Sequence, residues 1–135
     1  MPPSEPRVLE KVFTVTDREA IHFLGPQVMP ALSTPSLIDW MELTSRENVS
    51  AFLHPGEDTV GLSVEIKHFA PTPLGMKVRI VSTLREVQGR KYTFHVEAFD
   101  EMEKIAEGTH RRASITVEKF ASLVAAKKEK LGAGA

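Results

Sequence analysis

The sequence predicts an α+β domain in which an antiparallel five-stranded sheet wraps around one long central helix. Three observations predict it. Ser33-Thr34-Pro35 is a strong helix-start signal, and the apolar residues behind it keep a helical period as far as Leu53. Four later stretches alternate with a period of two. Mostly tight polar turns join those stretches, as sequential hairpins require. The length agrees, because 135 residues and 15.0 kDa suit one hydrophobic core and would leave two halves too small to bury much apolar surface.

Residues 1–7, with three prolines, read as a disordered lead. Val8 to Val15 is β-rich and predicts the first strand. Thr16-Asp17 marks a turn or cap before a weakly periodic segment from Arg18 to Leu24, which Gly25-Pro26 breaks. Val28-Met29-Pro30-Ala31-Leu32 is apolar but short and proline-interrupted, and reads as a packed loop. The helix is expected over 35–53, about 28 Å at ~1.5 Å per residue, stopped by His54-Pro55-Gly56. Strands are then expected over 59–69, 76–87, 91–99 and 104–117. Residues 118–131 read as a second helix whose Lys127, Lys128 and Lys130 complement its dipole, and 132–135 as a frayed tail. A sheet with one helix on one face and open edges tends to pair with a second copy. This is the layout of a hotdog fold.

Composition narrows the function. Seventeen Lys and Arg against eighteen Asp and Glu give a net charge of -1, which offers no support for a nucleic-acid partner. The apolar runs are too short for a membrane span, and the amino-terminal residues lack a signal-peptide core, so a cytoplasmic protein is expected. Without cysteine there is no disulfide, thiolate metal site or cysteine nucleophile. The five histidines lack an HExxH spacing, and no P-loop, GxGxxG or GxSxG motif occurs; no metal or cofactor is expected.

Four places break the local pattern. Glu42 shares a helical stripe with Ile38, Ser45, Val49 and Phe52, where a carboxylate either reaches water at the edge or serves a function. His68 falls on the strand parity of Val60, Leu62, Val64 and Ile66, a buried face that leads into Pro71-Thr72-Pro73; it is either a satisfied core histidine or a catalytic group at a strand end. Thr34 reads as a helix cap, a position where the dipole also favours a developing oxyanion. In Gly108-Thr109-His110-Arg111-Arg112, a glycine within a strand signals a bulge or a close approach, and Arg112 either faces a ligand or belongs to a solvated basic edge.

Those segments, taken with Leu37-Ile38-Asp39-Trp40-Met41-Glu42 and His68-Phe69-Ala70-Pro71-Thr72-Pro73-Leu74-Gly75, resemble the hotdog thioesterases related to fluoroacetyl-CoA thioesterase over about Lys11 to Lys119. The order and spacing of the motifs carry the resemblance. It implies a catalytic set of Thr34, Glu42 and His68, with Gly61 and Arg112 around the acyl-CoA. It also implies a homodimer with sites at the interface, and leaves open whether dimers pair into tetramers. Two departures are visible: Pro35 follows the threonine where the fluoroacetyl enzyme has Gly, and Gly25 to Leu32 lacks the aromatic lid residues, offering Val28, Met29 and Leu32 instead. Val28 and Leu32 are therefore expected beside an acyl group that has room to be larger. The reaction implied is hydrolysis of an acyl thioester to the free acid and CoA. The alternatives are a non-catalytic acyl-CoA-binding module and a hotdog enoyl-thioester hydratase.

Overall fold

The computed structural model describes residues 7–133. Strand β1 (Arg7–Thr14) and a single 3-10 turn (Asp17–Glu19) precede two short strands, β2 (Ala20–Ile21) and β3 (Ala31–Leu32). Helix α1 (Thr34–Ser50) follows, then β4 (Glu57–His68), β5 (Lys77–Gln88), β6 (Lys91–Phe99), β7 (Lys104–Thr116) and helix α2 (Val117–Ala133). The main sheet is antiparallel in the order β1-β5-β6-β7-β4, so β1 and β4 are its edges.

The hotdog arrangement expected from the sequence is present. Val78, Ile80 and Leu84 of β5 and Tyr92, Phe94, Val96 and Ala98 of β6 form a buried face, and α1 lies on it through Leu37, Trp40, Met41, Thr44, Ser45, Asn48 and Val49. Trp40 also stacks on Phe13 of β1 at 4.9 Å. A polar strip runs along this buried face of α1, and hydrogen bonds satisfy most of it: Ser45 pairs with Ser82 (2.9 Å), Asn48 donates to the Ser82 and Arg7 carbonyls, and Thr44 donates to the Trp40 carbonyl. Irregularities in register at Gly61/Ser63, Leu84/Glu86 and Ala98/Phe99 help the sheet curve around the helix.

Several expectations shift in detail. Arg7 already belongs to β1, while the rest of the expected lead and the last two residues of the expected tail lie outside the described residues. Gly132 and Ala133 continue α2. The packed loop contains β3, which pairs with β2 as a small second sheet. Helix α1 ends at Ser50, with a turn through Phe52 and Leu53. Glu42 lies beside the buried stripe rather than in it, because the face that meets the sheet is centred on Met41 and Ser45. Among the described residues no helix is long and apolar enough to cross a membrane.

Candidate active site

Strand β4 decides where the polar residues point. Gly61 pairs with Arg112 and Ser63 with Arg111, so Leu62 is an extra residue in the ladder. The bulge changes the strand's parity. Thr59 and Gly61 before it, and Val64, Ile66 and His68 after it, face the helix side together with Ser114, Arg112, His110, Gly108 and Ala106 of β7. His68 therefore lies on the expected face. Val60 and Leu62 do not share it, because strict alternation stops at the bulge, and Leu62 is 52% exposed.

The chain's connections bring Thr34 to His68. Beyond β4, the Phe69 and Ala70 amides both donate to the Ile105 carbonyl. The proline loop that follows is tied to β3, with the Leu32 amide donating to the Thr72 carbonyl and a bridge between Ala31 and Pro73. Thr72 is fixed in turn by its hydroxyl on Asp100 (3.0 Å). Strand β3 leads directly into α1, whose cap is Ser33 rather than Thr34: the Ser33 hydroxyl accepts the Ser36 amide at 3.2 Å. Thr34 is thus the first helical residue, and its hydroxyl, freed from capping, lies 2.8 Å from His68 Nδ1. Ser33 also accepts the Leu37 amide through its carbonyl, and Pro35 has no N–H. Among the described residues no acceptor meets the Thr34 N–H, which stands at the positive end of the helix. His68 Nε2 is closed off from solvent and has no hydrogen-bond partner among the described residues. Burial holds the His68 pKa below the ordinary histidine value, against a smaller upward pull from the Ala70 backbone.

A second group occupies the middle of α1. The Glu42 carboxylate lies 3.2 Å from Arg112 Nη1 and, with its side chain 41% exposed, is not desolvated within one chain. Arg112 is buried, and every nitrogen of its fork is engaged: Nε donates to the Thr59 hydroxyl and Nη2 to the Thr59 carbonyl, both at 2.8 Å, while Nη1 meets Glu42 and His110 Nε2. Burial lowers its pKa, with Glu42 opposing the shift. His110 completes the group. Its Nδ1 donates to the Ser63 carbonyl (2.9 Å), which leaves the Nε2 lone pair to accept from Arg112 at 3.2 Å. That pairing requires a neutral ring, and burial, aided by the Arg112 charge, pushes the His110 pKa down. Gly61 is bare for a reason: a Cβ there would stand 2.6 Å from Glu42 Oε2.

The structure therefore joins Thr34 to His68, and Glu42 to Arg112 and Gly61. Within one chain it keeps the two sets apart. Glu42 stands eight residues from Thr34, about 12 Å of helix, and Gly61 stands about 20 Å of strand from His68.

A cleft of about 470 Å³ opens beside Thr34 and His68, lined among others by Ile21, Phe23, Leu24, Leu32, Phe69 and Pro71. Leu32 belongs to this wall, as expected. Val28 is 46% exposed and stands outside the lining. The aromatic walls, Phe23 and Phe69, went unassigned in the sequence, although Phe23-Leu24 beside the Gly25-Pro26 break was a signal for them. His110 was also unassigned; its alternation with Arg112 along β7 was the clue. On the outer sheet face, ligand atoms of His95, Glu97 and Glu107 lie within 4.8 Å of one another, but the Lys104 ammonium already bridges Glu97 (2.9 Å) and Glu107 (3.0 Å).

Comparison with known proteins gives this geometry a family. The model of the fluoroacetyl-CoA-specific thioesterase family matches residues 15–118. The fluoroacetyl-CoA thioesterase of Streptantibioticus cattleyicolor is 36% identical over 114 residues, which cover 80% of this chain and 82% of that protein. A solved structure of a fluoroacetyl-CoA thioesterase superposes with a TM-score of 0.86 at 28% identity, over 94% of this chain and 98% of the other. A thioesterase superfamily member from Thermus thermophilus gives 0.84 at 30% identity, over 98% and 96%. The chain belongs to the fluoroacetyl-CoA-specific thioesterase family.

Proposed function

We propose that the protein hydrolyses an acyl-CoA thioester to the free acid and CoA, with Thr34, His68 and Glu42 as its catalytic residues. The observation that carries this reading is the 2.8 Å contact between the Thr34 hydroxyl and His68 Nδ1 at the mouth of an apolar cleft, at the head of a helix. Either water adds directly to the thioester carbonyl, or Glu42 or Thr34 takes the acyl group from sulfur first and water then hydrolyses the resulting anhydride or ester. The C–S bond breaks, and the departing thiolate receives a proton. His68, held largely neutral by burial, is the group to move that proton. The Thr34 hydroxyl and N–H orient the carbonyl at the positive end of α1.

The separation of Glu42 from His68 within one chain is resolved by a homodimer. Strand β4 is a sheet edge whose middle, from Gly61 to Glu65, is exposed, with Leu62 and Val64 as apolar members. Such an edge favours pairing with a second copy. An antiparallel β4–β4 pair centred on Glu65, with Leu62 again the extra residue, sets His68 of one chain opposite Gly61 of the other, beside that chain's Glu42. Arg112, buried and bonded at each of its nitrogens, then acts as the residue that positions Glu42.

The test is thiol release from acyl-CoA esters in the presence of a thiol reagent, with oligomeric state measured by light scattering. Mass spectrometry of protein quenched during single turnover distinguishes the routes, since only an acyl-enzyme carries the acyl mass on Glu42 or Thr34. In heavy-oxygen water the one oxygen that enters goes to the acid on direct attack, and to Glu42 when water opens an anhydride at its carbonyl. Intact CoA esters after prolonged incubation, or a fully active monomer, reject the corresponding part of the reading.

A further inference from the structure

We propose, resting on the thioesterase reading above, that the acyl group taken by this chain is a medium-sized apolar one, of about five to eight carbons, seated between Thr34–His68 and the Phe23–Leu24 corner. Three features support this. The cleft, about 470 Å³, falls in the range of roughly 300–1,000 Å³ that holds a whole small ligand. A two-carbon acyl group would fill only the corner next to Thr34. The walls are largely apolar: Ile21, Phe23, Leu24, Leu32, Phe69 and Pro71 share the cleft with Thr34 and His68. The third feature is exposure. Phe23 is 80%, Leu24 56% and Phe69 52% exposed, a cluster of large apolar side chains at one mouth, which marks a surface that an apolar ligand covers.

The wall formed by Ile21 and Leu32 is also fixed in place before any ligand arrives. Strand β2 pairs with β3, the Ser33 amide donates to the Glu19 carbonyl, and Thr16 and Glu19 close a capping box just ahead of Ile21. A preformed wall converts added acyl carbons into transition-state binding with little loss to ordering.

The experiment compares kcat/KM for acetyl-, hexanoyl- and benzoyl-CoA, read by free thiol, in the wild type and in Phe23→Ala and Phe23→Asp. Because Phe23 is mostly exposed, both variants are expected to fold, and circular dichroism checks this. Each methylene that enters the cleft is worth about fourfold, so hexanoyl-CoA should exceed acetyl-CoA by roughly 10²-fold. Phe23→Ala should reduce that ratio by roughly 10-fold, and Phe23→Asp by more, because a carboxylate at the lip must be desolvated by the chain. A wild type that favours acetyl-CoA overturns the inference while leaving the hydrolase reading intact; the cleft would then be covered by the second copy. A hexanoyl preference unmoved by either Phe23 variant also overturns it, since the chain would be bound elsewhere. No thiol release from any ester overturns both.

Discussion

The two polar groups along α1 are built in opposite ways. At the head of the helix, Thr34 and His68 share one hydrogen bond, and among the described residues His68 Nε2 has no partner. In the middle, Glu42, Arg112, His110, Thr59 and the Ser63 carbonyl form a network in which each nitrogen of the Arg112 guanidinium has an acceptor. The difference teaches what each group is for. An underbonded imidazole beside a cleft is poised to exchange a proton, whereas a guanidinium bonded at each nitrogen fixes the position of its neighbour. In the proposed mechanism the first group moves the proton, and the second holds the Glu42 carboxylate in place for its own part in the reaction.

The largest expected effect breaks the first group. His68→Ala should lower turnover by roughly 10²–10⁴-fold while leaving the fold intact; unchanged single-turnover rates would exclude it from proton transfer. Gly61→Ala tests the second group from the side. Its methyl would stand 2.6 Å from Glu42 Oε2, so the carboxylate must swing away, and a displacement of about 1 Å costs up to about 10²-fold in kcat. The thermal midpoint should change little, because the displaced atom ends a flexible side chain.

Arg112→Ala sharpens the comparison through stability. It strips the Thr59 carbonyl and His110 Nε2 of their donor, and an unmet buried group costs about 1–3 kcal/mol. Denaturant midpoints should fall accordingly, whereas Thr34→Ala, which removes an exposed hydroxyl, should barely move them.

The two groups also differ in what acid does to them. Both histidines have pKa values pushed below the ordinary one by burial, so the unfolded chain binds more protons than the native one once pH falls below about 6.5. Native stability is therefore full above that value and declines as pH drops through the folded pKa values. In His110→Gln, whose amide can still accept from Arg112, the decline should flatten. An unchanged slope would show that His110 does not titrate on unfolding. The smallest effect is expected far from both groups. Asp58 is held at about 2 by its paired bonds with Arg46, yet both partners reach solvent, so Arg46→Ala should cost about 1 kcal/mol or less at neutral pH.

Much of this was written in the chain. Alternation predicted β5, β6 and β7 to within a residue or two, because each lies in the main sheet with one buried face. Ser33-Thr34-Pro35 located the start of α1, and the family motifs singled out Thr34, Glu42, His68, Gly61 and Arg112. The β4 pattern failed at Leu62, because a bulge depends on how a strand meets its neighbour and leaves no local trace in composition. The small β2–β3 sheet was missed for a similar reason: two-residue strands carry no period, and they form because Ala31 and Leu32 are also pinned by the proline loop.

By itself, the sequence determined the two helices, the five strands of the main sheet and which residue types could do chemistry, since those follow from short-range periodicity and capping. Tertiary structure alone decided which of them meet. The tie between the proline loop and β3 sets Thr34 on His68, and the pairing of β4 with β7 sets Gly61 and Arg112 around Glu42. Contacts between residues 34 and 68, or 42 and 112, depend on how distant segments pack, and no window of local sequence encodes that.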